Sequence, residues 1–143
     1  SMVATGVSVS DDSIHEFNNK VNRHRSHTTF VIYKIEDESR IVTEHLSESD
    51  NFEEFLSVLP EDDCRYALYL THFTTKSNRE GCKLVKITWA PSGASVRKKM
   101  ICAASSAALG AVFGGAVTAK INVKDVEDLT LEAMQEACLR FSS

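Results

Sequence analysis

The sequence predicts an α+β domain in which a central mixed sheet of five strands is flanked by helices on both faces. Three observations carry that prediction. The stretch Thr28 to Ile35, TTFVIYKI, is β-branched or aromatic at most positions, the mark of a strand buried on both sides. Apolar residues recur at helical spacing elsewhere, as in Phe52, Phe55, Leu56 and Leu59. Strand-like and helix-like stretches alternate as helix, two strands, helix, two strands, long helix, strand, helix, which a two-faced mixed sheet accommodates.

Taken in order, Met2 to Ser10 has no helical period and reads as a flexible arm with exposed hydroxyls at Thr5, Ser8 and Ser10. Asp11 and Asp12 open a first helix that buries Ile14, Phe17 and Val21. The basic run NRHRSH, Asn22 to His27, reads as a solvated loop. Thr28 to Ile35 and Arg40 to Leu46 form a hairpin across the acidic turn Glu36 to Ser39. A short helix over Asp50 to Leu59 is stopped by Pro60. Arg65 to Phe73 and Lys83 to Trp89 make a second hairpin joined by the polar stretch Thr74 to Gly81. After the long helix, Ala116 to Val123 reads as an edge strand, and a last helix from about Glu127 to Arg140 buries Leu131, Met134, Cys138 and Phe141.

The long helix is the element the others serve. Trp89 ends a strand, Pro91 stops it, and Ser92 and Ser95 offer hydroxyls to cap the helix that starts at Val96. At 100° per residue, Ile101, Cys102, Ala108, Leu109, Val112 and Phe113 form one apolar stripe, suited to a core. The opposite side carries Val96, Met100, Ala103, Ala104, Ala107 and Ala111, with Arg97 and Lys99 flanking its first turn. Two arrangements satisfy that second face: a flat contact with another macromolecule, or a second internal layer of the same chain.

Composition narrows the function classes. A chain of 143 residues, 43% hydrophobic and 25% charged, is one ordinary globular domain, here residues 2–143. A net charge of −4 argues against a general nucleic-acid binder, since phosphate neutralisation needs clustered cations. The four cysteines, Cys64, Cys82, Cys102 and Cys138, lack CxxC spacing and read as reduced, mostly buried thiols of a cytoplasmic protein. No secretion signal is legible. The charge-free run from Met100 to Ala119 has bilayer-spanning length, but its Ala, Gly and Ser content gives poor transfer energetics, so no transmembrane segment is expected.

No catalytic pattern emerges. The five histidines have no metal-ligand spacing and no systematic carboxylate partner, so neither a metal nor a cofactor is expected. There is no nucleophile elbow and no phosphate-binding glycine loop; Gly114 and Gly115 follow a helix rather than open one. Asp62 and Asp63 fit a solvated turn. A binding module built on the long helix is therefore the leading reading, with an unrecognised enzyme as a remote alternative.

Four stretches, in this order and spacing, resemble the actin-depolymerising factor/cofilin family: ATGVSVSDD at Ala4 to Asp12, VIYKIED at Val31 to Asp37, DCRYALY at Asp63 to Tyr69, and ITWAPSGASVRKKMICAASSAAL at Ile87 to Leu109. The resemblance covers essentially the whole chain. It implies an ADF-homology (gelsolin-like) fold that binds actin monomers, prefers ADP-actin, and promotes filament depolymerisation and turnover. By the same resemblance the monomer-binding residues are Thr5, Gly6, Val7, Arg97, Lys99, Met100, Ala103 and Ala104, and Thr5 stands where many members carry an inhibitory phosphoserine. Phosphorylation there would place nearly two negative charges beside an acidic actin surface. Loss of a central cation from such a face typically costs about 1–3 kcal/mol.

The departures from the family pattern matter too. Ser106, Gly110 and Ala111 stand where members often carry cations. Gly81 stands where an Arg is common, leaving Lys83, with Arg79 displaced by two positions. Glu136 and Arg140 are the remaining filament-contact candidates. The expectation is a monomeric protein with secure actin-monomer binding, weak filament binding and severing, and reduced phosphoinositide affinity. HFTTKSNREGCKLVKITW, His72 to Trp89, resembles coactosin-like proteins, which sets the alternative of a filament side-binder without depolymerising activity.

Overall fold

The computed structural model describes residues 6–23 and 25–140. Its centre is a mixed sheet of six strands in the order β1-β3-β2-β4-β5-β6. These are β1 Ser8–Val9, β2 Phe30–Glu36, β3 Arg40–Ser47, β4 Arg65–Thr74, β5 Glu80–Trp89 and β6 Ala119–Val123. The inner pairs β3/β2, β2/β4 and β4/β5 are antiparallel, whereas the outer pairs β1/β3 and β5/β6 are parallel. The helices are α1 Asp11–Glu16, continued by a π-turn over Phe17–Val21, α2 Phe52–Ser57, α3 Val96–Phe113 and α4 Leu131–Arg140.

Alternation along the central strands divides the core in two. Phe30, Ile32, Ala67, Tyr69, Val85 and Ile87 face α2 and α4. Val31, Tyr33, Tyr66 and Leu68 face α1 and α3. A strand buried on both sides is thus what the β-branched and aromatic run of β2 builds. Short α2 holds its place through aromatic contact: Phe55 lies 5.2 Å from Phe30 and 4.8 Å from Tyr69 between ring centres. Asn51 caps it, accepting from the Glu53 N–H at 3.0 Å. On the other side, the Phe113 ring at the end of α3 packs 4.8 Å from Phe17 and 5.9 Å from Tyr33.

The sheet has one strand more than expected. Ser8 and Val9 belong to the sheet rather than to a flexible arm, because the Ser8 N–H donates to the Ser39 carbonyl at 3.1 Å and the Ser10 N–H to Ile41 at 2.9 Å. A two-residue strand is too short to show a period. The last helix also differs. It begins at Leu131, with the Thr130 hydroxyl accepting from the Ala133 N–H at 3.0 Å, while Val126–Asp128 forms a separate 3-10 turn. That start rotates Leu131 outward to 40% exposure, so Met134, Ala137 and Cys138 form the buried side. Phe141 lies outside the described residues.

Candidate functional site

The start of α3 is fixed by the turn before it. The Trp89 indole N–H donates to the Pro60 carbonyl at 2.7 Å, tying the end of β5 to the segment after α2. Gly93 passes so close to that segment that a Cβ there would stand 2.4 Å from the Glu61 carbonyl oxygen; only glycine fits. Ser95 then caps the helix, accepting from the Lys98 N–H at 3.2 Å.

From this anchor α3 runs across the sheet with Cys102, Ser105, Leu109 and Phe113 buried and Ile101, Ala108 and Val112 half-buried. The Tyr66 hydroxyl donates to the Cys102 carbonyl at 2.6 Å. Lys86 reaches under the helix from β5 and donates to the Ser106 hydroxyl at 2.7 Å and its carbonyl at 3.0 Å. Burial holds the Lys86 ammonium below its ordinary pKa, with nearby Lys120 acting in the same direction. Sequence periodicity found neither Ser105 nor Lys86. Both are polar residues at core positions, and neither lies at a spacing that betrays the contact.

The outer side of α3 is open. Val96 is 72% and Met100 66% exposed, and Ala103, Ala104, Ala107 and Ala111 are exposed as well. No second internal layer covers them among the described residues, so of the two arrangements the sequence left open, the covered one is excluded. Three cations border the face in different states. Arg97 makes a bidentate ion pair with Glu38, at 2.7 Å through Nε and 2.6 Å through Nη2. Lys98 lies 3.7 Å from Asp63. Lys99 is half-buried and has no carboxylate partner among the described residues. β1 packs against α3, and Val7 joins the core beneath the helix, so the arm meets the fold beside this face. Gly6 is exposed in the left-handed region at φ 75°. Thr5, the candidate phosphorylation site, lies outside the described residues.

The filament-contact candidates sit elsewhere. The end of the β4–β5 hairpin and α4 share a shallow groove that includes His72, Phe73, Gly81, Cys82, Gln135 and Leu139. Arg79 is exposed on the connecting turn, and the Lys83 ammonium lies 5.8 Å from the centre of the Phe73 ring. Glu136 and Arg140 pair with each other at 3.5 Å, one turn apart on α4.

Burial pushes the Cys102 thiol up to about 12 and raises Cys64 as well. Burial would raise Asp63, but hydrogen bonds from Arg65 and the Cys64 N–H outweigh it and hold the carboxyl below its usual range. Among the described residues no three His, Cys, Asp or Glu side chains gather into a metal-binding group. The stretch Val96–Ala116 is long and apolar enough by composition to cross a bilayer, yet one side of α3 is packed on the core of this fold.

Known proteins resemble this chain along most of its length. The family described as cofilin/tropomyosin-type actin-binding protein matches residues 6–139. A cofilin from Yarrowia lipolytica is 37% identical over 142 residues, covering 97% of this chain and 90% of its own length. Actin-depolymerizing factor 2 from Petunia hybrida is 40% identical over 104 residues, covering 71% of each. Among solved structures, Streptomyces griseoflavus cofilin superposes with a TM-score of 0.80 at 25% identity, covering 94% of this chain and 98% of that one. Human coactosin-like protein superposes equally well, with a TM-score of 0.80 over 99% of this chain and 94% of its own, but at 14% identity, a likeness of fold.

Proposed function

The chain belongs to the cofilin/tropomyosin-type actin-binding family, and on that premise we propose that it binds actin monomers through the outer face of α3, preferring ADP-actin, and promotes filament depolymerisation and turnover. The observation that carries this reading is the uncovered apolar face of α3. Met100 and Val96 stand at its head, small residues run along its middle, and cations line its edge. A face of that kind buries apolar area against a partner while its rim fixes orientation. In this reading the contact set is Thr5, Gly6, Val7, Arg97, Lys99, Met100, Ala103 and Ala104. The protein acts as one domain over residues 2–143, works as a monomer in the cytoplasm, and Thr5 is its phosphorylation site.

Filament binding and severing are weak in this reading. The charge pattern supports that ranking: Glu136 neutralises Arg140, the Lys83 ammonium lies over an aromatic ring, and position 81 has no side chain. Ser106, Gly110 and Ala111 leave the second half of α3 without cations, which lowers phosphoinositide affinity for the same reason. The coactosin-like alternative shares the fold. The sequence likeness to cofilins and depolymerising factors favours the first reading.

Inhibition of nucleotide exchange on ADP-actin monomers tests it, comparing wild type with Arg97→Ala/Lys99→Ala. Tight binding that the double variant loses supports the proposal. Filament cosedimentation without monomer binding would select the coactosin-like reading instead, and saturating tight filament decoration alongside monomer binding would overturn the ranking of the two actin forms.

A further inference from the structure

The acidic turn between β2 and β3 reaches the head of α3, a contact that no local pattern in either stretch indicates. Asp37 and Glu38 are its central residues, both in the left-handed region at φ 53° and 56°, and the Ser39 N–H closes the turn on the Glu36 carbonyl at 3.1 Å. A two-residue hairpin of this kind favours glycine or asparagine. A glutamate at such a backbone position is an outlier, which points to a task for its side chain. That side chain grips Arg97 with both oxygens, at 2.6 and 2.7 Å, although Arg97 is 73% and Glu38 52% exposed. Asp37, Glu38, Asp63 and Lys98 line one crevice between the turn and the helix.

The three cations at the head of α3 are therefore unequal. Lys99 has no carboxylate partner among the described residues, Lys98 has a loose one at 3.7 Å, and Arg97 has its guanidinium fork engaged. On the other flank of the turn, Glu36 is occupied by Arg40 at 3.0 Å, so of the turn's two glutamates Glu38 is the one that engages a cation of the binding surface.

Building on the monomer-binding proposal, we propose that Glu38 is an affinity-setting residue of the α3 surface: it competes with acidic groups of the partner for Arg97, so that Arg97 joins the contact only by exchanging one carboxylate for another. The pair is solvent-exposed, so the exchange is feasible, but its net charge is zero. While the pair persists, Arg97 adds little to the attraction exerted by Lys99. The negative charge of Glu38 additionally repels an acidic partner surface.

The test uses the full chain and purified ADP-actin monomers, with affinity read by inhibition of nucleotide exchange at low and at high salt. Wild type, Glu38→Gln, Arg97→Ala and Glu38→Gln/Arg97→Ala are compared, with thermal melts to show that each is folded. Glu38→Gln is expected to bind about three- to tenfold more tightly than wild type at low salt, and the gain should shrink as salt screens it. In the Arg97→Ala background the same substitution should change affinity much less, because the competed group is gone. Glu38→Asp, which keeps the charge, should stay near wild type. Equal or weaker binding by Glu38→Gln, with wild type binding normally, would overturn the inference alone. Absence of binding by every folded variant would overturn the monomer-binding proposal and this inference with it.

Discussion

Gly81→Ala isolates a packing constraint on the β4–β5 hairpin. Gly81 lies opposite Phe73 in the ladder between these strands. A Cβ at position 81 would stand 2.6 Å from the Phe73 Cζ and 3.0 Å from both Cε atoms, well inside the roughly 3.5–4.0 Å of normal carbon contact. The ring cannot move freely, because it is only 8% exposed and belongs to the core on the α2 and α4 side. Its displacement would also disturb the Lys83 ammonium 5.8 Å from its centre. Replacing a strand glycine with alanine ordinarily gains about 0.5–1 kcal/mol, whereas overpacking typically costs about 1–3 kcal/mol. The second effect should win, leaving a net destabilisation of up to about 2.5 kcal/mol, measured by urea unfolding followed by circular dichroism. In a Phe73→Leu background, where the obstacle is smaller, the alanine should become neutral or stabilising. A gain in stability with Phe73 intact would show that the ring yields at little cost and that position 81 is not sterically closed. An arginine at position 81 meets the same obstacle, because its Cβ would stand in the same place against the Phe73 ring.

Two further predictions concern the core under α3. Phe113→Ala removes a ring that is 3% exposed and touches Phe17 and Tyr33, so it should cost about 3–5 kcal/mol in the same unfolding assay; a loss below about 1 kcal/mol would mean that the end of α3 is not docked as described. Burial raises the phenols of Tyr33 and Tyr66 well above the ordinary value near 10, so the folded chain holds protons that the unfolded chain releases. Stability should be full below about pH 10 and fall above it by up to about 1.4 kcal/mol per pH unit for each tyrosine. Phenolate absorbance should then rise together with loss of secondary structure. A smooth titration near pH 10 by a chain that stays folded would contradict it.

What the sequence revealed followed from periodicity. β2 carries apolar residues on both faces, and the structure gives Phe30 and Ile32 to one core and Val31 and Tyr33 to the other. The period of α3 separated the side that holds Leu109 and Phe113 from the side that exposes Met100 and Ala104. It could not say what lay over the second side, because an open face and a covered one have the same spacing. β1 escaped because two residues cannot establish a period; its pairing with Arg40 and Ile41 is a tertiary fact. Lys86 is a charged residue on a strand with no local sign of burial, yet Ser106 and the small Gly110 leave space under α3 for its side chain. Glu38 and Arg97 are separated by 59 positions, and nothing local in either stretch indicates that they meet.

Ala104→Glu tests the proposal that the outer face of α3 grips the actin monomer. Ala104 is exposed in the middle of that face, so the substitution should leave folding stability within about 0.5 kcal/mol of wild type. In a complex, the same glutamate would be buried in an apolar contact without a partner. Affinity for ADP-actin monomers, read by inhibition of nucleotide exchange, should fall about tenfold or more while the thermal melt is unchanged. Unchanged affinity in a fully folded variant would contradict it and place the actin contact elsewhere on the chain.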